Sequence, residues 1–347
     1  MLHALTSSGV AGDLGQLTPT ELGTTFVTAM YLSSANDALD EKRWLLERDS
    51  ASGTLAEFVE HAMRREFLPI AFLAELYLDP TPTRLRSLGI ATLALTRRIV
   101  ALVATVDLPS HRAFVLEVVR AMTALSRHER TLTPRTLDDS LLPNFLYRAF
   151  DAVDEVFQLA YTRDDEMVRN ATTERLYEGS GRSVQTSYET LLQVLDALQI
   201  KPHAHLVDLG SGFGRLGLVA GLWRDDLTVT GYEYVDHRVE VASAAAARAG
   251  LADRVRFVAQ DLAAPRFAIP EADVYYMYDP FSAATYARVI RRLIEIGASR
   301  AIAVVTKGNA GDLFAAATDN RWEQPERLDH GNLAVFRSRA SRNTLNH

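Results

Sequence analysis

The sequence predicts an α/β protein: an amino-terminal all-helical domain followed by a doubly wound, seven-stranded sheet. Three observations carry that expectation. Beyond residue 202, short apolar runs at 204–209, 227–233, 254–259, 273–278 and 300–306 alternate with helical or loop stretches, as a parallel sheet with crossover helices requires. The first run ends in a glycine-rich turn, Leu206–Gly217 (LVDLGSGFGRLG), just ahead of a helical stretch. Residues 1–165 carry helix-capping signals and apolar residues at helical spacing instead.

The chain's 347 residues are enough for two cores, since one core serves roughly 100–200 residues. Hydrophobic content of 48% beside 23% charged residues excludes disorder as the main state. A formal charge of −7 gives no general attraction to nucleic-acid phosphates, so a nucleic-acid partner is not expected. There is no cysteine, which excludes a disulfide framework, a cysteine nucleophile and a thiolate metal site. The opening residues, MLHALTSSGVAGDLG, lack the basic and continuous apolar regions of a secretion signal, and the expected location is cytoplasmic. The most apolar long stretch, Leu85–Val106, is interrupted by Arg86, Arg97 and Arg98. Basic side chains near mid-span are costly in lipid, so it reads as a core helix and no membrane partner is expected.

Taking the elements in order, Thr18-Pro19-Thr20-Glu21 combines an N-cap, a first-turn proline and a reciprocal glutamate, and starts a helix that runs to about Ala35. Thr54-x-x-Glu57 is a second capping box. Asp79-Pro80-Thr81-Pro82 forces a break, and amphipathic runs follow at about 83–105, 110–128 and 141–162, separated by Pro109 and by residues 131–143. The histidines here, at 61, 111 and 128, lack the spacing of a helical zinc site, so no metal is expected. Such a domain serves equally to cover a site, to dimerise or to bind a partner. After the fifth strand come a short helix near 310–318 and two strands, 321–327 and 332–337, close enough for an antiparallel hairpin. A separate catalytic domain has little chain left to it.

The glycines at 210, 212 and 214 allow positive φ and close ligand approach, and the following helix offers free N–H groups to a phosphate or a carboxylate. Gly212-x-Gly214-x-x-Gly217 satisfies the dinucleotide fingerprint, which keeps NAD open as cofactor. Asp208 points elsewhere, because a parallel strand buried on both faces is apolar and a carboxylate at its end needs a partner. A cofactor ammonium would serve, as would an ordered water, or the backbone N–H groups of the turn itself.

Asp208-x-Gly210-x-Gly212-x-Gly214 resembles motif I of class I S-adenosylmethionine (SAM) methyltransferases, and the resemblance covers about residues 170–340. A Rossmann-like, seven-stranded sheet with a reversed last strand is that superfamily's architecture. The resemblance implies SAM as cofactor, held by Asp208, Gly210, Ser211, Gly212, Phe213 and Gly214, by Glu233 and Tyr234 after the second strand, and by Asp261 and Leu262 after the third. Glu233 would take the ribose hydroxyls, for which an ionised carboxylate is well suited, and Asp261 would face the adenine amino group. Asp253 precedes its strand and lies at the wrong end for a ligand.

Asp279-Pro280-Phe281 is similar to a shortened Asn/Asp-Pro-Pro-Tyr/Phe motif of amine methyltransferases, without the second proline. It implies Asp279 and Tyr278 as acceptor-side residues. Asp279 as N-cap with Pro280 at the first helical position explains the same dipeptide without chemistry. Upstream, Tyr177-Glu178-Gly179-Ser180-Gly181-Arg182-Ser183 and the helix 184–199 resemble the lead-in of the non-SET histone-lysine methyltransferase family, which implies Tyr177 and Ser183 as lid residues. That family's Asn-x-Phe acceptor motif is Asp-Pro-Phe here, so histone specificity does not carry over.

The expected domains are thus 1–165, helical, serving as acceptor wall, lid or homodimer contact; 166–200, linker and lead-in; and 201–340, the SAM-binding domain. The expected activity is methyl transfer to an unidentified acceptor, leaning to a nitrogen on a protein or small molecule. Strand alternation puts Tyr276 and Tyr278 on one face and Tyr275 on the other. A hydroxyl acceptor would need a base, for which His237 and His330 are the sources, both expected at the surface. The alternatives are a non-catalytic SAM-binding or interaction module and an NAD-dependent oxidoreductase.

Overall fold

The computed structural model describes residues 14–47, 82–132, 145–166, 185–278, 281–328 and 331–339. The second capping box, the turn at 79–81, His61, Tyr177, Ser183, Asp279, Pro280 and His330 lie outside the described residues. Contacts divide the chain into two compact units, Met1–Phe157 with Ser187–Glu189, and Gln158–Thr186 with Thr190–His347. Among the described residues no helix is long and apolar enough to cross a membrane.

The helical unit holds α1 (Pro19–Glu47), α2 (Pro82–Val103), α3 (Leu108–Leu132) and the short α4 (Val153–Phe157). The capping box closes as the sequence predicts: Glu21 N–H donates to Thr18 Oγ1 at 3.2 Å and Thr18 N–H to Glu21 Oε2 at 2.9 Å. Helix α1 continues past Ala35, since residues 36–47 contain no glycine or proline and include the helix formers leucine, glutamate, lysine and arginine. Pro109 sits inside the first turn of α3, where its missing N–H is no loss, and Asp107 caps that helix by accepting Ser110 N–H at 2.8 Å. The run expected at 141–162 is broken into a 3-10 turn, Phe145–Arg148, and two short helices, α4 and α5 (Thr162–Asp165). Phe26, Ile99, Phe114, Met122 and Phe150 build the core, with the Phe26 and Phe114 rings 5.7 Å apart.

The second unit is a seven-stranded sheet in the order β3-β2-β1-β4-β5-β7-β6. Its strands are β1 (His205–Leu209), β2 (Thr228–Glu233), β3 (Val255–Ala259), β4 (Val274–Tyr278), β5 (Ala303–Lys307), β6 (Glu326–Leu328) and β7 (Leu333–Arg337). The first five pair in parallel, and β7 runs antiparallel to both β5 and β6. That order, with its single reversed strand, is the class I methyltransferase fold. Helices α6 (Tyr188–Ala197), which joins this unit from Thr190 onward, α7 (Arg215–Trp223), α8 (Asp236–Arg248), α9 (Ala283–Ser299) and α10 (Ala310–Ala317) complete the unit. The strand expected at 321–327 shrinks to β6 and one bridge, Trp322 to Ser338. Pro325 lacks the N–H a ladder needs.

Close packing behind the glycine turn makes Gly214 obligatory. Its φ is +83°, and a Cβ there would lie 2.6 Å from Phe257 Cζ and 2.8 Å from Ala242 Cβ. Gly214→Ala combines an unfavourable backbone with overpacking and is expected to cost about 2–4 kcal/mol of stability, measured by urea unfolding.

Candidate functional site

Parallel register brings the carboxyl ends of β1, β2 and β3 together, with Asp208 beside Gly231 and Glu233 beside Ala259. Ligands bind at this end of a doubly wound sheet. The turn after β1 takes positive φ at Gly210 (94°), Gly212 (54°) and Gly214 (83°). Four of its amides are spent within the protein. Gly210 N–H and Ser211 N–H both donate to Tyr232 O at 2.9 Å, Gly214 N–H donates to Ser211 O at 2.9 Å, and Gly212 N–H donates to Glu233 Oε2 at 2.8 Å. Phe213 turns inward and is fully buried, whereas Ser211 Oγ is buried without a hydrogen-bond partner among the described residues.

Carboxylates dominate what remains. Asp208 is 3% exposed, and burial first, then the nearby charge of Glu233, push its carboxyl up to about 8. Glu233 is 6% exposed and also accepts Val235 N–H at 3.1 Å. Asp261, half-buried after β3, accepts Ala263 N–H at 2.8 Å on one oxygen. Tyr234, next to Glu233, is 44% exposed, while Leu262 is buried in the apolar cluster with Ile269 and Phe281.

The segment 158–166, which the sequence places at the end of the helical domain and its linker, groups with the sheet for a definite reason. Tyr161 packs on Phe213 with ring centroids 4.3 Å apart. Asp164, fully buried, accepts Arg238 Nε at 2.9 Å, Arg238 Nη2 at 2.8 Å and a hydrogen bond with His237 Nε2 at 2.7 Å. Burial opposes the charged form of Asp164, but the hydrogen bonds and charge of Arg238, then of His237, outweigh it and hold the carboxyl below its usual range. Arg238 also stacks 5.7 Å over the Phe213 ring. His237, expected at the surface, is therefore buried and committed to Asp164. The end of the lead-in is tied down as well: Thr186 O accepts Arg215 Nη1 at 3.0 Å, and Thr186 Oγ1 shares a 2.7 Å hydrogen bond with Tyr276 OH.

The side chains of β4 alternate as its sequence requires. Tyr275 faces the apolar cluster, its hydroxyl donating to Pro270 O at 2.7 Å. Burial pushes that hydroxyl up to about 12. Tyr278, half-buried at the strand end, lies under the ammonium of Lys307, which is 5.0 Å from the ring centroid. Lys307 is 1% exposed and ends β5. Sequence reasoning passed over it, although a single lysine closing an apolar strand was a signal, as it passed over Tyr161, Asp164 and Arg238. Among the described residues no three His, Cys, Asp or Glu side chains gather to hold a metal.

The fold is that of the class I methyltransferases, and solved structures of that kind resemble the chain over slightly less than half its length. An RNA methyltransferase from Salinibacter ruber, in complex with S-adenosyl-L-homocysteine, is 26% identical over 46% of this chain and 95% of its own, with a TM-score of 0.36. TrmN from Thermus thermophilus is 20% identical over 46% of this chain, with a TM-score of 0.34, and the match spans 48% of TrmN, about half its length. A SAM-dependent O-methyltransferase from Thermotoga maritima is 15% identical over 46% of this chain and 67% of its own, with a TM-score of 0.34. No protein-family model and no curated protein matches the sequence.

Asp208 gives the site a pH signature. An unfolded chain releases this proton near 3.8, whereas the folded protein holds it to about 8. Between those values the folded state binds the extra proton, so the stability from this group is complete below 3.8, declines as pH rises and is gone above about 8. The slope is at most about 1.4 kcal/mol per pH unit. Urea unfolding at pH 5, 6.5 and 8 should show the decline, and Asp208→Asn should flatten it.

Proposed function

We propose that the protein is a SAM-dependent methyltransferase. The observation that carries this reading is the use of the turn's amides: four of them already serve backbone oxygens or Glu233. A dinucleotide's pyrophosphate needs such amides free, whereas carboxylates at three neighbouring strand ends suit a ligand that offers hydroxyls, an amino group and a positive charge. The orphaned Ser211 hydroxyl adds one more polar group for it.

In this reading Asp208 takes the cofactor's ammonium, Glu233 the ribose hydroxyls with its remaining lone pairs, and Asp261 the adenine amino group, with Tyr234 beside the base. Tyr177 and Ser183 close over the methionine end. SAM supplies a methyl group on a positively charged sulfur, for direct in-line transfer. The protein's contribution is positioning and exclusion of water. Tyr278 and Asp279 orient an amine acceptor on a protein or small molecule, and the Lys307 ammonium fixes the Tyr278 ring. The helical unit is proposed to serve the acceptor, because every group assigned above to the cofactor belongs to the α/β unit.

Calorimetric titration with SAM and with NAD tests the cofactor. SAM should bind, and its affinity should rise by up to about tenfold per pH unit between pH 6 and 8, as a cation displaces the proton that Asp208 holds. Binding of NAD alone would overturn the reading. For the acceptor, methyl transfer from labelled SAM into a lysate separated into protein, nucleic-acid and small-molecule pools should label protein or small molecules. Asp279→Ala should lower transfer by about 100-fold at unchanged SAM affinity, and residues 158–347 alone should bind SAM without transferring. Unchanged turnover in Asp279→Ala would remove that residue's acceptor role, and full activity in the shortened chain would remove the helical unit's.

A further inference from the structure

One guanidinium faces two buried carboxylates beside the glycine turn. Arg238 gives Asp164 two nitrogens, at 2.9 and 2.8 Å, while its third lies 3.5 Å from Glu233 Oε1. The two-pronged contact is the strong one. Besides that long contact, Glu233 accepts the amides of Gly212 and Val235, at 2.8 and 3.1 Å. An enclosed arginine deprived of Asp164 would be a costly unpaired charge, and Glu233 is the carboxylate already within its reach.

We propose that Asp164 is a positioning residue for the cofactor's ribose: by engaging two nitrogens of Arg238 it limits that guanidinium to one long contact with Glu233, which keeps its other lone pairs for the glycine turn and the ribose hydroxyls. The inference rests on the SAM reading above and adds to it a residue from a segment outside the strands and turns that bind SAM. It separates two carboxylates that share a partner by role, one neutralising the arginine and one left as acceptor. His237 also holds Asp164, at 2.7 Å on the same Oδ1 that accepts Arg238 Nε.

Two variants test it, Asp164→Asn and the double variant Asp164→Asn/Arg238→Gln. Two measurements are made on each: SAM affinity by calorimetry, and hydrogen exchange of the Gly212 amide in the cofactor-free protein. Loss of the Asp164 charge should weaken SAM binding by about 10–100-fold and strip protection from Gly212, because Glu233 swings to the arginine. Removing the arginine as well should return affinity to within about threefold of the native protein and restore Gly212 protection. A role in stability alone predicts a double variant no better than the single one, and that result would overturn the proposal. If the single variant does not fold, the double variant carries the test, since both buried charges are gone; failure to protect Gly212 there overturns it equally. A native protein that binds no SAM defeats the cofactor reading itself, whereas native binding without rescue defeats this inference alone.

Discussion

The Glu233 carboxylate bonded to the Gly212 amide ties the carboxyl ends of β1 and β2 together. Buried backbone groups must find partners, and a turn crossing the edge of a parallel sheet has few to choose from. Here the end of β2 supplies them, with Tyr232 O taking two amides and Glu233 a third. The glycine conformations, the inward Phe213 ring and the placement of Asp208 beside Gly231 all follow from that template. A substitution at Glu233 therefore acts on the turn's shape before it acts on any ligand.

The same carboxylate shapes the electrostatics. Burial first, and the neighbouring charge of Glu233 second, push the Asp208 carboxyl up to about 8. Arg238 compensates on the far side of Glu233 but is itself balanced by Asp164. These strand ends thus gather carboxylates without carrying a full set of unpaired anions. Their polarity is held in reserve by a proton.

Much of this was legible in the sequence. Strand, glycine turn and helix fixed where Asp208, Glu233 and Asp261 must lie, because the carboxyl ends of parallel strands share one edge whatever the helices do. Alternation likewise sorted Tyr275 from Tyr276. The sequence hid contacts that depend on chain reversal over long distances: Asp164 and Arg238 are 74 residues apart, and neither belongs to a local pattern. His237 read as a surface residue for the same reason, its partner being remote. Lys307 was obscured differently, since a cation stacked on a ring at a strand end leaves no spacing to detect. The extension of α1 and the shortening of the 321–327 strand are matters of propensity and of Pro325, both visible locally but outweighed in the reading by capping and pairing signals.

Strand β7 is laid between β5 and β6, antiparallel to each. The outer side of β5 (Ala303–Lys307), apolar over its first three residues, gains its neighbour only when residues 333–337 are available to pair. A growing chain that has not reached them carries an otherwise assembled parallel sheet with an open, apolar edge, the kind of surface that recruits strands from other chains. The hazard of misassembly is therefore concentrated in the interval of synthesis before residues 333–337 are free to pair with β5.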